Sequence, residues 1–176
     1  MDMNLANKLT MLRVVMIPVF LGVLFLAPAP MNRYIAVIIF IVASLTDMLD
    51  GKIARKYNLV SNFGKFMDPL ADKCLVVAAL CWFVENGQMA GWVLAVVLLR
   101  EFAVSGMRLV AVEKGRVIAA GWSGKVKTAA TMVCIILMFL PIPALLNTLC
   151  VTVIVVTTIW SGLEYFMKNK DCLTDM

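Results

Sequence analysis

With 62% hydrophobic residues and only 15% charged ones in 176, the chain is not an ordinary water-soluble domain, which carries about 25% charged residues. Its net charge is +5 and it contains no histidine, so the commonest general base and zinc ligand is missing and any acid–base or metal chemistry falls to carboxylates. The cysteines, Cys74, Cys81, Cys134, Cys150 and Cys172, show no paired spacing and no disulfide framework; four lie in or beside apolar runs, where a thiol acts as a small hydrophobe.

Apolar runs near the ~18–20 residues needed to cross a bilayer recur along the whole chain. They predict an all-α integral membrane protein with six transmembrane helices in a single domain over residues 1–176. The expected spans are Leu9–Pro28, Arg33–Lys52, Phe66–Val84, Met89–Leu109, Ala119–Leu140 and Ile142–Phe166. Polar "NLANKLT" precedes the first run and no small-residue cleavage site follows it, so this run is expected to be retained as a helix and not removed as a signal peptide. Prolines close several spans (Pro28 and Pro30; Pro141 and Pro143), as expected where a helix stops. Pro18 lies inside the first span, where a kink is expected. No internal repeat is present.

Charge sets the expected orientation. An even number of spans puts both termini on one side. Lys8, Arg13, Lys52, Arg55, Lys56, Lys65, Lys114, Arg116, Lys125, Lys127, Lys168 and Lys170 fall on that side, against Arg33 alone on the other. The positive-inside rule makes that side cytoplasmic, with the chain a multi-pass protein of the cell membrane. A nucleic-acid partner is not expected, because the basic residues sit at membrane boundaries and no nucleic-acid motif accompanies them.

The most informative stretch is "LTDMLDGKIARKYNLVSNFGKFMDPLADK", Leu45 to Lys73. Asp47 and Asp50 are three apart near the end of the second span. Asp68 and Asp72 are four apart at the start of the third. Each spacing puts its pair on one helical face. A charged side chain at a membrane helix centre costs ~2.5–3.5 kcal/mol on insertion scales, so such groups face water or a partner. Four clustered carboxylates repel, and they protonate unless cations join them. Hard oxygen ligands without nitrogen or sulfur favour magnesium, manganese or calcium. Gly51 lets a ligand approach the backbone. Arg55 can grip phosphate bidentately. Ser61 and Asn62 stand where they can cap the third span or contact a ligand. Caps and solvated helix ends account for an isolated aspartate pair, but they do not account for four aspartates with Gly51, Arg55 and Gly64 between them.

These positions spell Asp47-x2-Asp50-Gly51-x2-Ala54-Arg55-x8-Gly64-x3-Asp68-x3-Asp72. The pattern resembles, without departure, the signature of the CDP-alcohol phosphotransferases, which join an alcohol to a CDP-activated partner and release CMP. The resemblance implies two divalent ions, Mg2+ or Mn2+, held by Asp47, Asp50, Asp68 and Asp72. Asp72 would also accept the proton of the attacking hydroxyl. Gly51, Arg55 and Ser61 would hold the CDP part, with Gly64, Asn7 and Thr10 as further contacts. It also suggests a homodimer, although no GxxxG motif stands out in an apolar span.

Two further stretches bear on the acceptor. In "NLANKLTMLRV", Asn7, Thr10 and Arg13 recur every three residues on one face; a cap and an ordinary boundary arginine are the plain reading. In "LLREFAVSGMRLVAVEKGRVIAAGWSGKVKT", Arg100, Glu101 and Arg108 interrupt an apolar helix, and Lys125 and Lys127 open the next. A neutralising Arg100–Glu101 pair and interfacial lysines are the plain reading. A basic pocket for a phosphate on the acceptor is the sharper one. Both stretches resemble the phosphatidylglycerophosphate synthase branch of the family, with its "N-x-x-T-x-x-R", "REF-x-VSG-x-R" and "GK-x-KT" segments.

The expected reaction is transfer of the phosphatidyl group from CDP-diacylglycerol to sn-glycerol 3-phosphate. Arg108 and Lys125 are the first expected contacts of the acceptor phosphate, followed by Arg100 and Arg13. The last span is expected to add only hydrophobic packing. The competing readings are another acceptor, such as inositol phosphate or serine, and a cation transporter. A transporter leaves Arg55 and the basic pocket unexplained, since fixed positive charge hinders a cation path.

Overall fold

The structure, a computed structural model, describes residues 5–56, 62–113, 115, 118 and 121–172, and within them not the side chains of 5–10, 13, 47–56, 62–70, 72 and 172. Six α-helices and one short 3-10 turn make up the described residues, with no strand among them. They are α1 (Leu5–Leu26), α2 (Met31–Lys56), α3 (Asn62–Glu85), α4 (Gly91–Glu113), α5 (Trp122–Phe139) and α6 (Ala144–Asn169). Each expected span coincides with one helix. Most helices run a few residues past the apolar limits, because backbone hydrogen bonding continues into the polar turns where hydropathy stops. Among the described residues, α5 and α6 are long and apolar enough to cross a membrane.

The chain falls into two compact units. The first is Met1–Trp82 with Phe139–Pro141, the second Phe83–Met138 with Ile142–Met176. In the first unit α1 packs on α2. Phe20 and Leu24 of α1 are buried, as are Ala36, Phe40 and Ala43 of α2, which recur at intervals of four and three along one face. Ala71, Ala78 and Ala79 give α3 a similar buried stripe of small side chains, the kind that lets membrane helices approach closely. Phe20 meets Phe40 at 6.3 Å and the edge of Phe139 at 6.0 Å, and Trp82 lies 5.5 Å from Phe139. The Arg33 guanidinium sits 5.3 Å over the Trp82 ring, so this boundary arginine keeps an aromatic partner.

In the second unit, α4 buries Val93, Val97, Val104, Met107 and Ala111, and α6 buries Cys150, Ile154, Thr158, Ser161 and Tyr165. The turn before α4 needs Gly87 at φ +68°, a conformation that side-chain-bearing residues avoid. It lets the Gln88 N–H return to the Phe83 carbonyl at 2.9 Å. Gln88 Nε2 then donates to the Met138 carbonyl at 3.2 Å, and Asn147 Nδ2 to the Gln88 carbonyl at 2.7 Å, tying the turn to the end of α5 and the start of α6. Large apolar side chains of this unit face outward. Leu99, Phe102, Trp122, Leu145 and Leu163 are each more than half exposed. A water-soluble monomer does not tolerate apolar faces on this scale, and a bilayer does.

Candidate active site

The buried stripes of α5 and α6 change character along their length, in opposite senses. On α5, Ser123, Lys127 and Thr131 come first, followed by Cys134, Ile135 and Met138. On α6, Cys150 and Ile154 precede Thr158, Ser161 and Tyr165. Cys134 lies beside Cys150, and Ser123 beside Glu164, so the helices are antiparallel and their polar parts meet. α4 runs parallel to α6, since Arg100 packs against Gly162 and Arg108 against Tyr165. Three polar helix segments thus converge at one end of the unit.

They enclose a cavity of about 160 Å³. Arg100 and Arg108 of α4 line it, with Ser123 and Gly124 of α5 and Ser161, Glu164, Tyr165 and Lys168 of α6. Arg100 Nη1 donates to Glu101 Oε1 at 3.0 Å, and Lys127 Nζ donates to the same oxygen at 2.7 Å. Glu101 is therefore shared by two cations from two helices, and one positive charge is left over. Arg100 Nε is buried without a hydrogen-bond partner. A Cβ at Gly162 would stand 3.3 Å from Arg100 Cγ, and one at Gly124 3.6 Å from Arg100 Nη2. The added carbon would crowd the arginine at Gly162, whereas at Gly124 it would make an ordinary contact. The Arg108 guanidinium lies 5.7 Å over the Tyr165 ring, and no carboxylate pairs with it among the described residues. Arg108 is exposed, so the contact contributes about 0.5–1 kcal/mol and leaves the N–H donors available to a ligand. Three lining cations against one carboxylate suit an anion, and a phosphate monoester carries about −1.5 to −2.

Of the residues expected to bind the acceptor phosphate, Arg100 and Arg108 are brought together here. Lys125 is exposed and stands outside the described lining. It is two residues, about 200° of helix, from Lys127, so the two lysines cannot share a face, and it is Lys127 that is buried. Asn7, Thr10 and Arg13 fall on α1, Asp47, Asp50, Gly51 and Arg55 on α2, and Gly64, Asp68 and Asp72 on α3. Their side chains, and the whole of Ser61, lie outside what the structure describes. The helical backbone sets Asp47 and Asp50 about 60° apart around α2, and Asp68 and Asp72 about 40° apart around α3. Each pair shares a face. An all-oxygen donor set in a chain without histidine fits a hard divalent cation. The α6 wall of the cavity is a departure from the purely apolar last span expected. Ser161, Glu164, Tyr165 and Lys168 recur at intervals of three, one and three, and that spacing is the signal that could have exposed them in the sequence.

An all-helical chain with lipid-type outer faces, paired aspartates on two helices and a basic cavity among three others has the make-up of a membrane-bound enzyme for phosphate-bearing substrates. Residues 3–160 match the CDP-alcohol phosphatidyltransferase family, and the chain belongs to that family. The family is membrane-bound and generally depends on a divalent metal. The chain is 43% identical to the CDP-diacylglycerol–glycerol-3-phosphate 3-phosphatidyltransferase of Bacillus subtilis (strain 168), over 97% of each chain. It is 41% identical to a probable phosphatidylglycerophosphate synthase of Mycobacterium tuberculosis (strain CDC 1551 / Oshkosh), over 94% of this chain and 81% of the relative. It is 35% identical to the CDP-diacylglycerol–glycerol-3-phosphate 3-phosphatidyltransferase of Haemophilus influenzae, over 99% and 98%.

Proposed function

We propose that this protein transfers the phosphatidyl group of CDP-diacylglycerol to sn-glycerol 3-phosphate, giving phosphatidylglycerol phosphate and CMP. The observation that carries the choice of acceptor is the cavity holding Arg100, Arg108 and Lys168. An acceptor without a phosphate has no use for this concentration of positive charge, and relatives similar over nearly the whole chain carry the matching name. Arg108 is the leading contact of the acceptor phosphate, with Arg100, Lys125 and Arg13 as further contacts. Asn7, Thr10, Gly51, Arg55, Ser61 and Gly64 hold the CDP group.

Asp72 accepts the proton of the attacking glycerol hydroxyl. That oxygen forms the new bond to the lipid-side phosphorus, the bond from this phosphorus to the CMP oxygen breaks, and CMP leaves. Asp47, Asp50, Asp68 and Asp72 are the residues that would hold two ions, Mg2+ or Mn2+. Bound there, such ions supply charge neutralisation for the diphosphate and the leaving CMP. A carboxylate of ordinary acidity is a weak base, so the contribution of Asp72 is largely one of position.

The one-domain chain crosses the cell membrane six times, with both termini and the aspartates on the cytoplasmic side, and works as a homodimer. The lipid tails stay in the bilayer while the diphosphate is handled at its boundary. Arg108→Ala is expected to raise KM for glycerol 3-phosphate by roughly ten- to a hundredfold, the worth of a hydrogen bond to a charged group, with KM for CDP-diacylglycerol little changed. Steady-state CMP release against each substrate measures both. An unchanged acceptor KM would remove Arg108 from the phosphate site.

A further inference from the structure

An anion cavity has no evident need of a carboxylate, yet Glu164 lines this one. The simplest account is a surface ion pair with Lys168, one helical turn on. Such pairs contribute little, and this account leaves Ser123 unexplained. Ser123 is buried on α5 and lines the same cavity beside Glu164. Lys168 on its own helix holds the carboxylate, and Ser123 on the neighbouring helix borders the same cavity. A carboxylate offers about four lone-pair positions, so it can still accept from a ligand. The cavity, at about 160 Å³, is well below the ~300–1,000 Å³ of sites for drug-sized ligands. A phosphate seated on Arg108 and Arg100 leaves a short polyol facing the α6 wall.

Resting on the acceptor reading above, we infer that Glu164 is a specificity residue: it accepts a hydrogen bond from the acceptor hydroxyl that does not react, and so selects a hydroxylated phosphate ester over a bare one. The carboxylate also repels a second phosphate, which disfavours diphosphates in the same cavity.

The test compares two acceptors in the full-length protein in detergent, by CMP release from CDP-diacylglycerol. One is sn-glycerol 3-phosphate. The other is the phosphate monoester of propane-1,3-diol, which keeps a primary hydroxyl and the phosphate but lacks the middle hydroxyl. The wild type is expected to favour the glycerol ester by roughly ten- to a hundredfold in kcat/KM, as the loss of a hydrogen bond to a charged group implies. Glu164→Ala brings that ratio close to one. The ratio is the proper readout, because removing a negative charge changes the affinity for both esters alike. Glu164→Gln keeps the side-chain shape and is expected to give an intermediate ratio, which covers the case in which the alanine variant does not fold. A wild-type ratio retained in Glu164→Gln and in any folded Glu164→Ala would overturn the inference and return Glu164 to the role of a partner for Lys168. A wild type that does not discriminate between the esters would also overturn it. CMP release with neither ester would instead overturn the acceptor reading, and the role of Glu164 with it.

Discussion

Asp72→Asn is expected to lower CMP release by roughly 10²–10⁴-fold, the range that general acid–base catalysis contributes. The amide keeps the shape of the side chain but cannot take up the proton of the attacking hydroxyl, and as a neutral group it is a poorer ligand for a divalent ion. The two roles separate in kinetics. Loss of the proton acceptor lowers kcat with KM for CDP-diacylglycerol little changed, because the interaction is made only in the transition state. Loss of a metal ligand shifts the magnesium dependence, and raised magnesium restores part of the rate. Titrating magnesium against both forms of the protein measures each effect. Activity within about tenfold of wild type at every magnesium concentration would remove Asp72 from the proton transfer, since that is less than such a base supplies.

Removing Glu101 is expected to have the largest effect on stability. Its Oε1 accepts from Arg100 and from Lys127, and the side chains of Arg100, Glu101 and Lys127 are 13%, 15% and 6% exposed. Breaking such a pair by deleting one partner costs about 3–5 kcal/mol, because the other charge stays buried without compensation. For a chain of this size that corresponds to a fall in the thermal midpoint on the order of 10 °C. Lys127 carries most of the penalty, being the more buried of the two cations. Arg100 borders the cavity and stays hydrated from that side. Glu101→Leu combined with Lys127→Met is therefore expected to recover most of the loss, since apolar replacement of a whole buried pair is often neutral. Thermal unfolding of the single and double variants in detergent measures the coupling. A Glu101→Ala protein as stable as wild type would show that the pair does not hold α4 to α5.

The helices were largely legible in the sequence because apolar runs long enough for a bilayer have few alternatives to helix. Their ends were less so. The span expected to close at Leu109 continues to Glu113 as α4, because Arg108 ends the apolar run without ending the hydrogen-bond ladder. The basic pocket was legible in Arg100 and Arg108, whose presence in an apolar helix is costly enough to demand a reason. The Arg100–Glu101 pair was legible too, but the lysine that shares Glu101 was not. Lys127 is 26 residues from Glu101, no local pattern joins them, and the sequence favours its neighbour Lys125, which is exposed outside the cavity lining. The α6 wall was hidden by composition. Thr158, Ser161 and Tyr165 sit in a largely apolar span, and only the spacing of polar residues along their shared face separates them from the lipid-facing residues around them.

This chain is expected to release CMP from CDP-diacylglycerol with glycerol 3-phosphate, and not with glycerol, serine, inositol or inositol phosphate. The direct measurement is CMP release by the purified protein in detergent with magnesium. Glycerol 3-phosphate, glycerol, serine, inositol and inositol phosphate are run in parallel. CMP formation with glycerol 3-phosphate alone, abolished by a chelator and restored by magnesium, is the predicted result. CMP formation with serine or an inositol in place of glycerol 3-phosphate would contradict the acceptor assignment, and folded protein that releases no CMP with any of them would contradict the reaction itself.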